Sequence, residues 1–152
     1  MHQIRRLDLN IAYACNVACK GCLSLSDFDR KGVMPFNDVI DSIDTWKGKV
    51  FPEILSIFGG EPLLHPKIHD IFSAVRQAWP DTTIRLITNG YLLSKHKIGN
   101  FFAHTPVEMQ VSVHRLDHEH IINKNITAFL KHYSLLYTSD AADEEDSVDL
   151  GA

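Results

Sequence analysis

Apolar and polar positions alternate along Arg6–Tyr13, with Leu7, Leu9 and Ile11 on one side and Asp8 and Asn10 on the other, which predicts a β-strand with one apolar face. The period then changes. Phe36, Val39, Ile40, Ile43 and Trp46 recur at helical spacing, so 35–46 predicts an amphipathic helix with Asn37 as N-cap and Gly48 just past its end. Ile54–Phe58 is a short apolar strand. Ile68–Trp79 is a second helix, with Ile68, Ile71, Phe72, Val75 and Trp79 on one side and Pro80 as its stop. Thr83–Ile87 predicts a third strand, Ser94–Phe102 a weaker helix interrupted by Gly99, and Glu108–His114 a fourth strand. Asp117–Tyr133 closes the series as a helix carrying Ile121, Ile122, Ile126, Phe129 and Leu130.

The order β-α-β-α-β-α-β-α predicts an α/β fold with parallel strands and right-handed crossovers. The unusual residues follow the C-terminal ends of these strands. Cys15, Cys19 and Cys22 follow the first, Gly59-Gly60-Glu61-Pro62 the second, and Thr88-Asn89-Gly90 the third. In parallel α/β proteins these ends share one edge, where ligands bind.

Composition refines this picture. The chain has 152 residues, 45% of them hydrophobic, which suits one globular core. No apolar run reaches membrane-spanning length, and 1–8 has no signal-peptide core, so a cytoplasmic protein with no membrane partner is expected. The net charge of −4 gives no reason to expect nucleic-acid binding. That charge is concentrated at the end, where 135–152 holds six acids and no Lys or Arg, leaving 13 acids against 15 basic residues before it. The expected organisation is a core domain at 1–134 and a non-native or disordered acidic tail at 135–152, which resembles translated sequencing adapter; on that reading the natural protein continues past Tyr133.

Cys15, Cys19 and Cys22 are the only cysteines, spaced C-x3-C-x2-C. Three thiolates in one loop can hold an iron–sulfur cluster and leave one iron open to a ligand. A zinc site completed by one of the nine histidines, or a redox pair made of Cys19 and Cys22, uses the same residues. Gly59-Gly60-Glu61-Pro62 alone reads as a tight turn, as does Thr88-Asn89-Gly90. Gln110, Ser112 and His114 share one face of the fourth strand, opposite Met109, Val111 and Val113. Asp8 and Asn10 point inward without an assigned role. His65, His69, His118 and His120 lack metal-ligand spacing and suit solvated or capping positions, while Trp46 and Trp79 suit helix-to-sheet packing.

Taken in order, Cys15-x3-Cys19-x2-Cys22, Gly59-Gly60-Glu61-Pro62 and Thr88-Asn89-Gly90 resemble a radical S-adenosylmethionine (SAM) enzyme over roughly Leu7 to His114. The resemblance implies a partial parallel (β/α) barrel, with about four of six β/α units present. It also implies a [4Fe–4S] cluster on the three cysteines and SAM chelated to the open iron. One electron from a flavodoxin- or ferredoxin-like donor would then yield a 5′-deoxyadenosyl radical that abstracts hydrogen from substrate. By the same resemblance, Gly59, Gly60, Glu61 and Pro62 hold the methionyl end of SAM, and Asn89, Ser112 and His114 lie near SAM or substrate. The substrate is not legible; a peptide or protein and a small molecule are both expected possibilities. The residue before the last cluster cysteine is usually aromatic in that family and here is Gly21, so the adenine wall would fall to Phe28 or Leu23. No fifth or sixth strand and no auxiliary cluster cysteines follow.

Overall fold

The computed structural model describes residues 2–19, 22, 24, 25, 30–96, 106–113 and 115–133. Four strands form one all-parallel sheet in the order of the chain: β1 (His2–Ala12), β2 (Val50–Gly59), β3 (Thr83–Thr88) and β4 (Val107–Val111). Helices α1 (Phe36–Trp46), α2 (Ile68–Ala78) and α3 (Glu119–Tyr133) complete the described elements, with short 3-10 turns at Pro62–Leu64, Leu93–Lys95 and Leu116–His118. The α/β class and parallel topology match the sequence expectation, as a partial radical SAM-type barrel would.

The strand register explains the alternation. Leu7, Leu55, Ile84 and Val107 align across the sheet, as do Leu9, Ile57, Leu86 and Met109, and these rows join one core with Val39 and Ile43 of α1 and Ile71, Phe72 and Val75 of α2. Side chains one residue on take the opposite face, where Asp8, Ser56, Arg85 and Glu108 align, Asn10 pairs with Phe58, and Ile87 with Gln110. A register shift between Asn10 and Ala12 breaks the β1–β2 ladder just before the cysteine loop.

Several elements differ from the sequence expectation. β1 begins at His2, because His2–Ile4 pair through backbone with Val50–Pro52, although of the three only Ile4 packs against the core. β2 likewise starts before Ile54. Pro52 is tolerated inside it because β3 pairs only from Ile54 onward, so β2 there has a neighbour on one side. Asn37 does not cap α1: Pro35 occupies that position without a side-chain hydrogen bond. Gly48, at φ +82°, does mark the helix end.

Trp79 is buried and donates Nε1–H to the Val50 carbonyl at 2.9 Å, but Trp46, the last residue of α1, is 47% exposed. Ile121 is also exposed, because Ile122 and Phe129 are the α3 positions that turn inward. The expected helix 94–102 is described only at its start, where Leu93–Lys95 form a 3-10 turn; 97–105 lie outside the described residues. The tail 134–152 lies outside them as well.

Candidate active site

The ends of β1, β2 and β3 release three loops at one rim, and these loops are bonded to each other. Val33 returns to pair with Ala12, while Tyr13 and Ala14 N–H both reach the Gly32 carbonyl, so the cysteine loop is closed at its base. Gly60 N–H then donates to the Ala12 carbonyl at 2.8 Å and Glu61 N–H to the Ala14 carbonyl at 3.0 Å, tying the second loop to the first.

Gly59 is required by close approach. A Cβ on it would stand 2.3 Å from the Ala12 carbonyl oxygen and 2.8 Å from the Ala12 nitrogen. Its own carbonyl accepts the Ser24 hydroxyl at 2.7 Å, a contact from the far side of the cysteine loop that no spacing rule announces. Pro62 is buried and opens the 3-10 turn that carries the chain away from the rim.

Glu61 is fully buried and joins the second loop to the third. Oε1 accepts from Leu63 N–H at 2.9 Å and from the Thr88 hydroxyl at 2.8 Å, and Oε2 accepts from Asn89 N–H at 2.9 Å. Burial pushes its carboxyl pKa up, and the three donors oppose that push. Asn89 continues the chain of contacts: Nδ2 donates to Asn16 Oδ1 at 2.8 Å and lies 3.5 Å from Cys15 Sγ. Thr88, Ser24 and Asn16 thus join the bonded rim, and the pattern reading singled out neither Ser24 nor Asn16. Only Thr88 carried a signal, through its motif.

Cys15, Cys19 and Cys22 are all half-buried and none is in a disulfide. Burial raises the Cys15 thiol pKa, opposed by the Val17 N–H and by Asn89. Among the described residues, no three His, Cys, Asp or Glu side chains are drawn together at metal-holding distance. The donor set nonetheless fits an iron–sulfur cluster by its chemistry: three unoxidised sulfurs in one loop, with two N–H groups directed at the first of them.

Ser112 follows β4 at the same rim and donates its backbone N–H to the Thr88 carbonyl at 2.9 Å. His114, Gly21, Leu23 and Phe28 lie outside the described residues. Of the inward pair, Asp8 binds Arg6 at 2.6 Å, and Asn10 Oδ1 is buried without a hydrogen-bond partner.

Three of the histidines expected at solvated or capping positions contact other protein groups. His65 is buried rather than solvated: Nε2 meets the Met34 carbonyl at 2.9 Å and Nδ1 accepts Lys67 N–H at 3.0 Å ahead of α2. His69 lies against His96, and His118 Nδ1 meets the Tyr91 hydroxyl.

The family model of the Radical SAM superfamily matches residues 9–133. The chain belongs to the radical SAM superfamily. This is an enzyme family that uses a [4Fe–4S] cluster and SAM, as the motifs implied. Among the curated relatives of this radical SAM chain are GTP 3′,8-cyclases. One from Paenarthrobacter nicotinovorans is 28% identical, over 73% of this chain and 32% of its own length. One from Staphylococcus haemolyticus is 30% identical, over 82% of this chain and 39% of its own length. An S-adenosylmethionine-dependent nucleotide dehydratase from Selenomonas ruminantium is 30% identical, over 61% of this chain and 32% of its own length. The chain thus spans about a third of the length of the curated relatives it matches. No described helix is long and apolar enough to cross a membrane.

Proposed function

We propose that this radical SAM chain carries the cluster-binding and SAM-binding loops of an enzyme that removes hydrogen from a nucleotide. The observation that carries the reading is the bonding of the three motif loops into one rim through Glu61 and Asn89. Cys15, Cys19 and Cys22 would hold the cluster, thiolates being the soft ligands that iron–sulfur centres take. Gly59, Gly60, Glu61 and Pro62 would face the methionyl end of SAM. The Gly59 carbonyl already accepts from Ser24, and the Glu61 carbonyl from Leu64 N–H, so the Gly60 carbonyl is assigned to the SAM ammonium. Asn89, Ser112 and His114 belong to the same rim in this reading.

Bound at these residues, the cluster and SAM would supply one-electron reductive cleavage of SAM and, through it, removal of a hydrogen atom from substrate. The electron comes from an external flavodoxin- or ferredoxin-like donor. A nucleotide substrate is favoured because the relatives named above are two GTP 3′,8-cyclases and a nucleotide dehydratase. The expectation of a peptide or protein substrate draws no support from those names. Assignment to the cytoplasm follows from the reduced cysteines that a cluster requires.

Anaerobic reconstitution tests the reading. The expected product is a coloured protein with about four irons and four sulfides per chain, lost when Cys15, Cys19 or Cys22 is replaced by Ala. With a strong reductant and SAM, release of 5′-deoxyadenosine is expected to rise with a nucleoside triphosphate and not with a peptide. A colourless protein holding one zinc would overturn the cluster, and disulfide exchange that survives Cys15→Ala would favour a redox pair at Cys19 and Cys22. Stimulation by peptides alone would overturn the substrate class.

A further inference from the structure

We propose that Asn89 is a positioning residue for the cluster, acting through the Cys15 sulfur to set the potential at which the cluster accepts its electron. The inference rests on Cys15 being a cluster ligand, as proposed above. Asn89 Nδ2 stands 3.5 Å from Cys15 Sγ across 74 residues of sequence, so the contact is made by the fold and not by the cysteine loop. The Val17 N–H, 3.4 Å from the same sulfur, is a second donor from within that loop.

The carboxamide is fixed in its orientation. Its nitrogen donates to Asn16 Oδ1 at 2.8 Å, and its oxygen accepts Tyr91 N–H at 3.2 Å. Turning the amide over would set oxygen against the Asn16 oxygen and the sulfur, and NH2 against the Tyr91 N–H. Its backbone is held in turn by Glu61 Oε2, through the Asn89 N–H. The donor is therefore presented to sulfur by a buried carboxylate on a different loop.

An N–H bond to a ligating sulfur draws charge from it. The electron-rich reduced cluster gains more from that bond than the oxidised one, so each such donor raises the potential. A turn residue with no further role would leave the potential unmoved when replaced.

The test uses the full chain, reconstituted anaerobically, with midpoint potentials from redox titration followed by electron paramagnetic resonance. Circular dichroism is recorded in parallel. Asn89→Ala is expected to shift the potential negative, with about a tenfold drop in the reduced-to-oxidised ratio at fixed potential, equivalent to about 59 mV for one electron. Asn89→Asp keeps the oxygen that accepts from Tyr91 while replacing the donor with negative charge, and should shift the potential further in the same direction. Iron loss from both variants with circular dichroism unchanged also supports the positioning role. An unchanged potential in folded, cluster-bearing Asn89→Ala overturns the inference, as does loss of the fold in both variants. If the unsubstituted chain takes up no cluster, it is the reading of Cys15 as a ligand that fails.

Discussion

Glu61 Oε2 accepts the backbone N–H of Asn89 at 2.9 Å, a buried bond between the loops that follow β2 and β3. The other carboxylate oxygen holds Leu63 N–H and the Thr88 hydroxyl, so one side chain determines where both loops stand. In Glu61→Gln one oxygen becomes an NH2 group that faces donors. We expect a loss of about 1–3 kcal/mol, the cost of leaving a buried donor unsatisfied, read from the urea midpoint. A midpoint equal to that of the unsubstituted chain would show that the loops are held by other contacts.

Gly59→Ala tests the close approach of β2 to the end of β1. The added Cβ would lie 2.3 Å from the Ala12 carbonyl oxygen, backbone that cannot rotate away. The expected loss is about 3 kcal/mol or more, at the upper end of single-substitution effects. Gly48→Ala is the control. Gly48 has nothing within 4 Å of its Cβ position and only the strain of φ +82°, so about 1–2 kcal/mol is expected. Equal losses in the two variants would count against the contact.

Trp79→Phe isolates the hydrogen bond that ties the end of α2 to the start of β2. The Val50 carbonyl is buried and loses its Trp79 Nε1–H donor, while most of the apolar ring volume remains. About 1–3 kcal/mol should be lost, measured by chemical denaturation. A neutral outcome would mean that solvent reaches the Val50 carbonyl.

His96 carries a pH dependence. Burial holds its pKa below the ordinary histidine value, and the neighbouring His69 lowers it further. The unfolded chain therefore binds a proton that the folded chain resists. Stability from this site is fully present above about pH 6.5 and is lost as pH falls through the folded value. In His96→Gln the stability between pH 7 and pH 5 should fall less steeply than in the parent, as followed by thermal unfolding at several pH values. Parallel curves would remove His96 as the source.

The motif cysteines, the Gly-Gly-Glu-Pro turn and the alternating strands were legible because each obeys a local rule: ligand spacing, glycine at a close approach, or a period of two along a half-buried strand. Boundaries were less so. The first residues of β1, and Pro52 within β2, are strand because of a neighbouring strand, which no local pattern reports. Trp46 and Ile121 followed the apolar periodicity yet stand exposed, because their positions lie at the margin of the face that meets the sheet. His65, expected at a solvated or capping position, is buried with both ring nitrogens bonded to backbone, one of them to Lys67 N–H ahead of α2.

By itself the sequence determined the class of this protein: parallel strands and helices in alternation, three cysteines after the first strand, and membership of the radical SAM superfamily. Only the tertiary structure decided how the motifs act on one another. Glu61 reads by resemblance as a support for its loop or for the SAM ammonium, and folded it is a buried strut with both oxygens bound to protein. Asn89 reads as a turn former or, by resemblance, as a residue near SAM or substrate, and folded it delivers a donor to a cysteine sulfur 74 residues away. The physical reason is that spacing constrains a residue's own loop. A buried carboxylate or amide, by contrast, must find its partners wherever the sheet brings them, because leaving it unpaired costs more than the bond itself contributes.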